Sequence, residues 1–281
     1  MLIDTHCHVQ FQGYKEDRDD VINRCVERGT IMHLVGTQKD TSKAAVLLAE
    51  KIPTAFASIG THPNHLFPIH IDEEESHFLS REEDFDEAYY ETLVQSPKVT
   101  AVGECGLDLF HLPADIPQEA VLAKQKVVFS KHVLFAQKHD LPLVIHVREA
   151  HEHMIPLLRS FEKRPRATIH CYTSNWSNAQ EYLNMGFYLG FTGVVTFPPL
   201  KKNPQAQADL LEVVEKMPLD RILLETDAPY MAPGQYRGKR AEPWMAIETA
   251  KKIGEIRHIS LDTVLESTTQ NALTLFNRMK I

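Results

Sequence analysis

Two histidines two residues apart, His6 and His8, lie in the segment Asp4-Thr5-His6-Cys7-His8 near the N-terminus. Successive side chains of an extended strand point to opposite faces, so residues two apart face the same way and both imidazoles can reach one cation. A lone His-x-His pair is a weak signal, and four further residues give it weight. Glu104 follows Val102-Gly103, His146 follows Leu143-Val144-Ile145, His170 follows Ala167-Thr168-Ile169, and Asp227 follows Leu223-Leu224-Glu225-Thr226. Ionisable side chains that end apolar runs are costly to bury unless paired or coordinated. The set offers four imidazoles and two carboxylates, which suits zinc, manganese or iron better than calcium, an ion that prefers oxygen alone. Six side chains are too many for one catalytic ion that keeps an open position. Two divalent cations (Zn, Mg or Mn) are therefore expected, with Glu104 as the bridge, His6, His8 and Asp227 on one ion, and His146 and His170 on the other. Such a pair activates water and neutralises phosphoryl charge. Asp227 and Glu104 are the expected catalytic residues, with Asp227 placed to take the proton of the water.

A second layer surrounds this set. His62, in Gly60-Thr61-His62-Pro63, is a candidate contact for a substrate phosphate, and Arg148, two residues past His146, is expected to share its face. The run Tyr236-Arg237-Gly238-Lys239-Arg240 follows the Asp227 segment. Three cations in four residues beside a metal site, Arg237, Lys239 and Arg240, make a candidate phosphate clamp.

Residues so far apart in the chain need a scaffold that gathers them. Short apolar runs at 2–5, 31–36, 54–60, 99–104, 142–146, 167–170, 187–192 and 221–226 read as strands, and their continuous rather than alternating pattern suits parallel strands buried on both faces. Helical patterns fill the gaps, with apolar stripes at Val21, Cys25 and Val26, at Ala44, Leu47 and Leu48, and at Val127, Val128, Leu134, Phe135 and Ala136. Eight strands each followed by a helix predict an α/β fold, a (β/α)8 TIM barrel forming a single domain over residues 1–281, with an open doubly wound sheet as the alternative. In a barrel the C-terminal strand ends share one face, where the six ligand candidates would meet. An insertion at 66–91 separates the third and fourth strands and carries two acidic runs, Asp72-Glu73-Glu74-Glu75 and Glu82-Glu83-Asp84.

Composition narrows the functional classes. A formal net charge of −8 argues against broad non-specific binding of duplex DNA, which needs a wide basic surface. It leaves a phosphate substrate open, because bound cations reverse the local sign. The four cysteines form no CxxC pair, so a thiolate zinc site is not expected, and Cys7, Cys25, Cys105 and Cys171 read as reduced packing residues. There is no basic leader with an apolar core and no apolar run of membrane-spanning length, so a cytoplasmic, membrane-free monomer is expected.

The motif set resembles the TatD family of metal-dependent deoxyribonucleases, a branch of the amidohydrolase-like barrels. The matching segments are IDTHCH, GTHP, AVGECGLD, LPLVIHVREA, TIHCYTS, FYLGFTGVVTF and LLETDAPYMAPGQYRGKR, in the family's order. The resemblance implies a barrel nuclease that hydrolyses phosphodiesters of DNA, often from a strand end, with metal ligands falling on His6, His8, Glu104, His146, His170 and Asp227 and a phosphate-contacting histidine on His62. Departures are Leu109 where an aromatic usually follows GLD, with Phe110 next; His132 where a glutamine is usual; Ser174 for glycine; Ala241 for asparagine; and Pro198-Pro199 after VTF. None falls on a ligand, but they and the acidic insertion bear on substrate choice. DNA or another phosphodiester is the expected partner. Two alternatives stand beside this reading. One is an amidohydrolase or deacylase acting on C–N or ester bonds, which the basic segment 237–240 disfavours; the other is a non-catalytic nucleic-acid binding module, which a complete ligand set disfavours.

Overall fold

A computed structural model describes residues 1–69, 80 and 82–281. Eight strands form where the apolar runs predict them: β1 (Leu2–Cys7), β2 (Thr30–Val35), β3 (Ala55–Ile59), β4 (Val99–Asp108), β5 (Leu143–Arg148), β6 (Ala167–Ile169), β7 (Tyr188–Phe191) and β8 (Ile222–Leu224). They belong to one sheet in the order β1 to β8. Helices separate them: α1 (Arg18–Glu27), α2 (Lys39–Ala49), α3 (Glu87–Leu93), α4 (Gln118–Lys138), α5 (His151–Ser160), α6 (Trp176–Asn184), α7 (Pro204–Lys216), α8 (Ala246–Arg257) and α9 (Leu261–Leu275). Strand order equal to chain order, with a helix in each crossover, is the (β/α)8 barrel class. Every residue of β1–β4 and β6–β8 is buried, as strands covered on both faces require; only β5 ends in an exposed residue, Arg148.

The chain packs as two compact units. The first comprises Met1–Val9, Asp17–His33 and Ile169–Leu275. Here β7 pairs in parallel with β8, Leu189 opposite Ile222 and Phe191 opposite Leu224. The buried stripe Ala246, Ala250 and Ile253 on α8 and the stripe Val264, Thr268, Ala272 and Leu275 on α9 follow the helical repeat. Asn271 ties α9 to β8 by donating to the carbonyls of Leu219 and Ile222 at 2.9 and 2.8 Å. Asn271 is buried, so removing its amide would leave those acceptors without their donor in an apolar setting.

The second unit comprises Gln10–Glu16, Leu34–Thr168 and Phe276–Ile281. Its strands β3, β4 and β5 pair in parallel, with a register shift between Val102 and Cys105. The long helix α4 packs through Val121, Gln125, Val128, Phe129, His132, Val133 and Ala136, a stripe spaced at three and four residues.

Two expectations change. The fourth and fifth strands do not stop at Glu104 and His146: Gly106 pairs with His146, Leu107 with Val147 and Asp108 with Arg148. Gly106 permits this extension, because a Cβ there would lie 1.9 Å from the His146 carbonyl oxygen. On α2 the buried residues are Ser42, Ala45, Val46 and Ala49, while Leu47 is exposed; Val26 on α1 and Val127 and Leu134 on α4 are exposed as well. Of the two acidic runs, residues 72–75 lie outside the described residues. In the other, the Glu83 carboxylate accepts from the Lys39 backbone N–H at 2.9 Å and Asp84 pairs with Lys131 at 2.8 Å.

Candidate metal centre

In the first unit, β1 carries His6 near its C-terminal end, and His8 lies just past it. Their Nε2 atoms are 3.1 Å apart. Asp227 Oδ1 lies 3.3 Å from His8 Nε2 and 3.7 Å from both His6 Nε2 and His170 Nε2. The His170 ring stacks on His6 with centroids 3.4 Å apart. Backbone contacts hold this arrangement: the Asp227 N–H donates to the His6 carbonyl at 2.9 Å and the His8 N–H to the Ala228 carbonyl at 2.7 Å. Asp227 itself adopts φ 57°, a left-handed conformation that side chains other than glycine adopt at a cost. Burial opposes charge on Asp227, but His170, a hydrogen bond from His8 and the His6 ring outweigh it and hold the carboxyl below its usual range.

Two buried carboxylates brace these side chains. Asp4 Oδ1 accepts from the backbone N–H groups of His6 and Thr226 at 3.2 and 2.9 Å, and its Oδ2 accepts from Thr226 Oγ1 at 2.6 Å. Burial pushes the Asp4 pKa well up despite those donors. Glu225 Oε2 accepts from His170 Nδ1 and from the Cys171 backbone N–H, both at 2.9 Å. The proton is thereby placed on Nδ1 of His170, and Nε2 presents its lone pair toward Asp227.

In the second unit, Glu104 Oε1 lies 3.0 Å from His146 Nδ1 and 3.6 Å from His62 Nε2. The other His146 nitrogen, Nε2, lies 3.1 Å from Asp108 Oδ2. Burial alone would lower the His146 pKa, but its hydrogen bonds to Asp108 and Glu104 outweigh burial and raise it to about 9. Asp108 is buried, yet its bonds to His111 and His146 hold it well below the carboxylate range. The Gln125 side chain clamps Asp108 in place, its Oε1 accepting from the Asp108 N–H at 3.1 Å and its Nε2 donating to the Asp108 carbonyl at 2.9 Å.

His62 is built on a pinned loop. The Thr61 N–H donates to His132 Nε2 at 2.9 Å, and His132 Nδ1 donates to the Val128 carbonyl at 2.9 Å. The unusual histidine at 132 therefore still provides a buried acceptor for the GTHP segment. His62 Nδ1 accepts from the Asn64 N–H at 3.2 Å, so its proton sits on Nε2, the nitrogen that faces Glu104. Burial, then the neighbouring His146, lowers the His62 pKa to about 3.

Each unit thus gathers nitrogen and oxygen donors at coordination spacing. His6, His8 and Asp227 have donor atoms within 4.8 Å of one another, and so do His62, Glu104 and His146. Mixed imidazole and carboxylate donors, several of them braced by a buried hydrogen-bond partner, fit a divalent transition metal.

The family model described as TatD related DNase matches residues 3–277. This chain belongs to the TatD family. The metal-dependent hydrolase YabD of Bacillus subtilis is 35% identical over 98% of this chain and 99% of its own. The 3'-5' ssDNA/RNA exonuclease TatD of Yersinia pseudotuberculosis is 31% identical over 98% and 99%. The crystal structure of the TatD homologue YjjV from Escherichia coli superposes with a TM-score of 0.81 at 28% identity, covering 98% of each chain. As a TatD family member the chain is a metal-dependent hydrolase on a TIM barrel.

The basic residues expected around a TatD substrate are placed unequally. Arg237 is exposed and its guanidinium lies 4.7 Å from the centroid of Phe197; Lys239 is exposed. Arg240 is half-buried and pairs with Asp17 at 2.5 Å. The next residues of that network are Arg24, which reaches Glu242 at 2.7 Å, and Trp244, whose Nε1 donates to Glu242 at 2.6 Å. Arg148 is exposed at the end of β5 and covers the ring of Phe110 at 4.1 Å. Asp108, Glu225, Asp4 and Gln125 hydrogen-bond to or around the candidate ligands, and the motifs alone do not single them out. Asp108 stands four residues from Glu104 on β4, and that even spacing along a strand is the available signal for it. Among the described residues no helix is long and apolar enough to cross a membrane.

Proposed function

We propose that this TatD family hydrolase is a phosphodiesterase of nucleic-acid ends, a deoxyribonuclease of exonuclease type that uses two divalent cations. The observation that supports it most is the clustering of donor atoms, His6, His8 and Asp227 in one group and Glu104 and His146, with His62 beside them, in the other. In the barrel class the strand ends that carry them open on one face. His6, His8, Glu104, His146, His170 and Asp227 would hold the cations, with Glu104 between them, in one domain over residues 1–281 of a monomer. When bound, the cations would make water acidic enough to attack at neutral pH and neutralise phosphoryl charge.

The residues of the chain then have separate tasks. Asp227, ionised at neutral pH, accepts the proton of the attacking water. His62, neutral and protonated on Nε2, donates a hydrogen bond to a phosphate oxygen without adding charge. Arg237 and Lys239 meet the neighbouring phosphates of a polynucleotide, and Arg240 fixes the loop that carries them. Displacement at phosphorus leaves an alcohol and a phosphomonoester. The exonuclease name carried by a relative supports the polynucleotide substrate, and the basic segment 237–240 supports phosphate over a carbonyl.

The test is an activity panel on single-stranded, blunt duplex and closed circular DNA, single-stranded RNA and a chromogenic phosphodiester, with each of Zn, Mg and Mn. Chelation is expected to abolish hydrolysis, a divalent ion to restore it, and open ends to be cut faster than closed circles. Undiminished hydrolysis in a chelated, metal-free sample, or amide hydrolysis in the absence of phosphodiester hydrolysis, would overturn the reading.

A further inference from the structure

The segment that follows β4 carries aromatic and apolar surface that the chemistry above leaves unused. Phe110 is 51% exposed and Leu112 36% exposed, next to Asp108, which the His146 ring contacts. In the middle of this surface His111 is fixed: its Nδ1 bonds Asp108 Oδ2 at 2.8 Å, while Asp108 Oδ1 accepts from the backbone N–H groups of Phe110 and His111, both at 2.8 Å. The exposed ring is therefore held by the same carboxylate that orients a proposed metal ligand.

Two further contacts fix the ring itself. The Arg148 guanidinium covers it at 4.1 Å from the centroid, and His111 meets it edge-on at 4.8 Å. Half of the residue nevertheless remains exposed, so a fixed, cation-backed ring is presented to solvent. A ring held fixed and exposed beside a reactive site offers its π surface to an occupant.

The geometry points to a base-stacking shelf: Phe110, backed by Arg148 and held by His111 and Asp108, takes the face of an unpaired nucleobase. This inference rests on the polynucleotide reading above and narrows it, because a base within duplex DNA has both faces occupied by its neighbours whereas one at a single-stranded end has a free π-face. An aromatic platform combined with a guanidinium is the chemistry by which proteins hold single-stranded nucleic acid without reading sequence. The net charge of −8 adds a reason for such a shelf, since a chain with a net negative charge gains base contacts that phosphate attraction cannot supply.

The test compares binding of two phosphorothioate-linked single strands of equal length by fluorescence anisotropy, one an oligothymidylate and the other an abasic chain. Slow cleavage of these linkages lets the intact, metal-loaded protein be used. Phosphate attraction is equal for both, so any difference reports the base. The wild-type protein is expected to bind the oligothymidylate at least about fivefold more tightly, the low end of what one base–aromatic stack contributes. Phe110→Ala removes that preference and Phe110→Trp keeps it. Equal binding of the two strands by wild type, or a preference that Phe110→Ala leaves intact, overturns the shelf. So does concentration-dependent self-association lost in Phe110→Ala with no base preference, which would assign the patch to a second copy of the chain. A wild-type protein that hydrolyses a chromogenic phosphodiester but ignores the base sinks the shelf alone; one that hydrolyses no phosphodiester sinks the reading beneath it.

Discussion

Glu225 Oε2 accepts a hydrogen bond from His170 Nδ1 at 2.9 Å, and the space it occupies exists because residue 190 is glycine. A Cβ at Gly190 would stand 2.1 Å from Glu225 Oε1. The FYLGFTG segment therefore has a chemical reason for its glycine: it admits a fully buried carboxylate that sets the tautomer of His170, a proposed ligand. The same logic recurs in the other unit, where Asp108 faces His146 Nε2 and leaves Nδ1 toward Glu104. In both cases a buried carboxylate outside the proposed ligand set directs which imidazole nitrogen is free.

That relationship makes Glu225→Gln informative. The amide fills the same space but is a weaker acceptor and offers an N–H that competes for the Cys171 backbone region. Metal affinity is expected to fall about 10- to 100-fold, the usual effect of removing a partner behind a ligating histidine. Titration of metal-free protein with Zn or Mn, alongside a melting curve, checks this. Unchanged affinity with a lower melting temperature would make Glu225 a packing residue.

Proton competition gives a second outcome. In the metal-free protein His146 has a pKa raised to about 9, against an ordinary value near 6.5. A raised folded pKa means that the protonated ring stabilises the fold fully below about pH 6.5, and that this contribution is lost as pH rises through about 9. Metal must displace that proton, so apparent affinity should rise with pH across the same window. Calorimetric metal titrations in buffers of different ionisation enthalpy are expected to show proton release at pH 7 that vanishes well above pH 9. Equal heats in all buffers at pH 7 would contradict it.

The strands are readable because residues such as Val99–Val102 and Leu143–Ile145 are buried on both faces and so form unbroken apolar runs. Their ends are not. Cys105-Gly106-Leu107-Asp108 falls outside the apolar run at 99–104, yet Gly106 lets β4 continue against the His146 backbone. Helix faces are harder for a related reason. Where apolar residues are adjacent, as at Val127-Val128 or Val46-Leu47-Leu48, periodicity alone cannot choose between two neighbouring stripes, and the tertiary contact decides; Val128 and Val46 turn inward while Val127 and Leu47 face water. The six ligand candidates are legible because an ionisable side chain that ends an apolar strand is costly to bury unless it is paired or coordinated. Their braces are hidden inside the same motifs: Glu225 and Asp108 look like further acidic letters until the structure shows what each touches.

The loop at 237–240 should separate into two roles. Arg240 pairs with Asp17 in a half-exposed setting, an interaction of about 0.2–1 kcal/mol. In a chain this size that corresponds to a melting shift of about 0.3–2 °C. Arg240→Ala is expected to show that shift and a raised KM on polynucleotide, whereas Arg237→Ala raises KM alone. Metal content stays intact in both. Loss of metal in either variant, with KM unchanged, would instead assign the loop to the support of the metal centre.

Glu104→Gln tests the proposed bridge. Glu104 Oε1 is the atom toward which both His146 Nδ1 and His62 Nε2 face, at 3.0 and 3.6 Å, so its charge serves two imidazoles before any cation arrives. Glutamine keeps the shape but loses the negative charge that would hold two cations roughly 3.5–4 Å apart. Their mutual repulsion is then less screened, and at least one should be lost. Turnover is expected to drop by roughly a hundredfold or more, since a cation contributes several kcal/mol of transition-state stabilisation. Folding should change little, because a buried carboxylate is itself expensive without its partners. His146 should also lose part of its raised pKa, so the pH window of metal uptake moves down in the variant. Metal stoichiometry, turnover and melting temperature measured on one preparation decide the matter. Two retained metals with near-normal turnover would show that the bridge lies elsewhere, and Asp227, whose Oδ1 already faces three imidazoles, would be the carboxylate to change next.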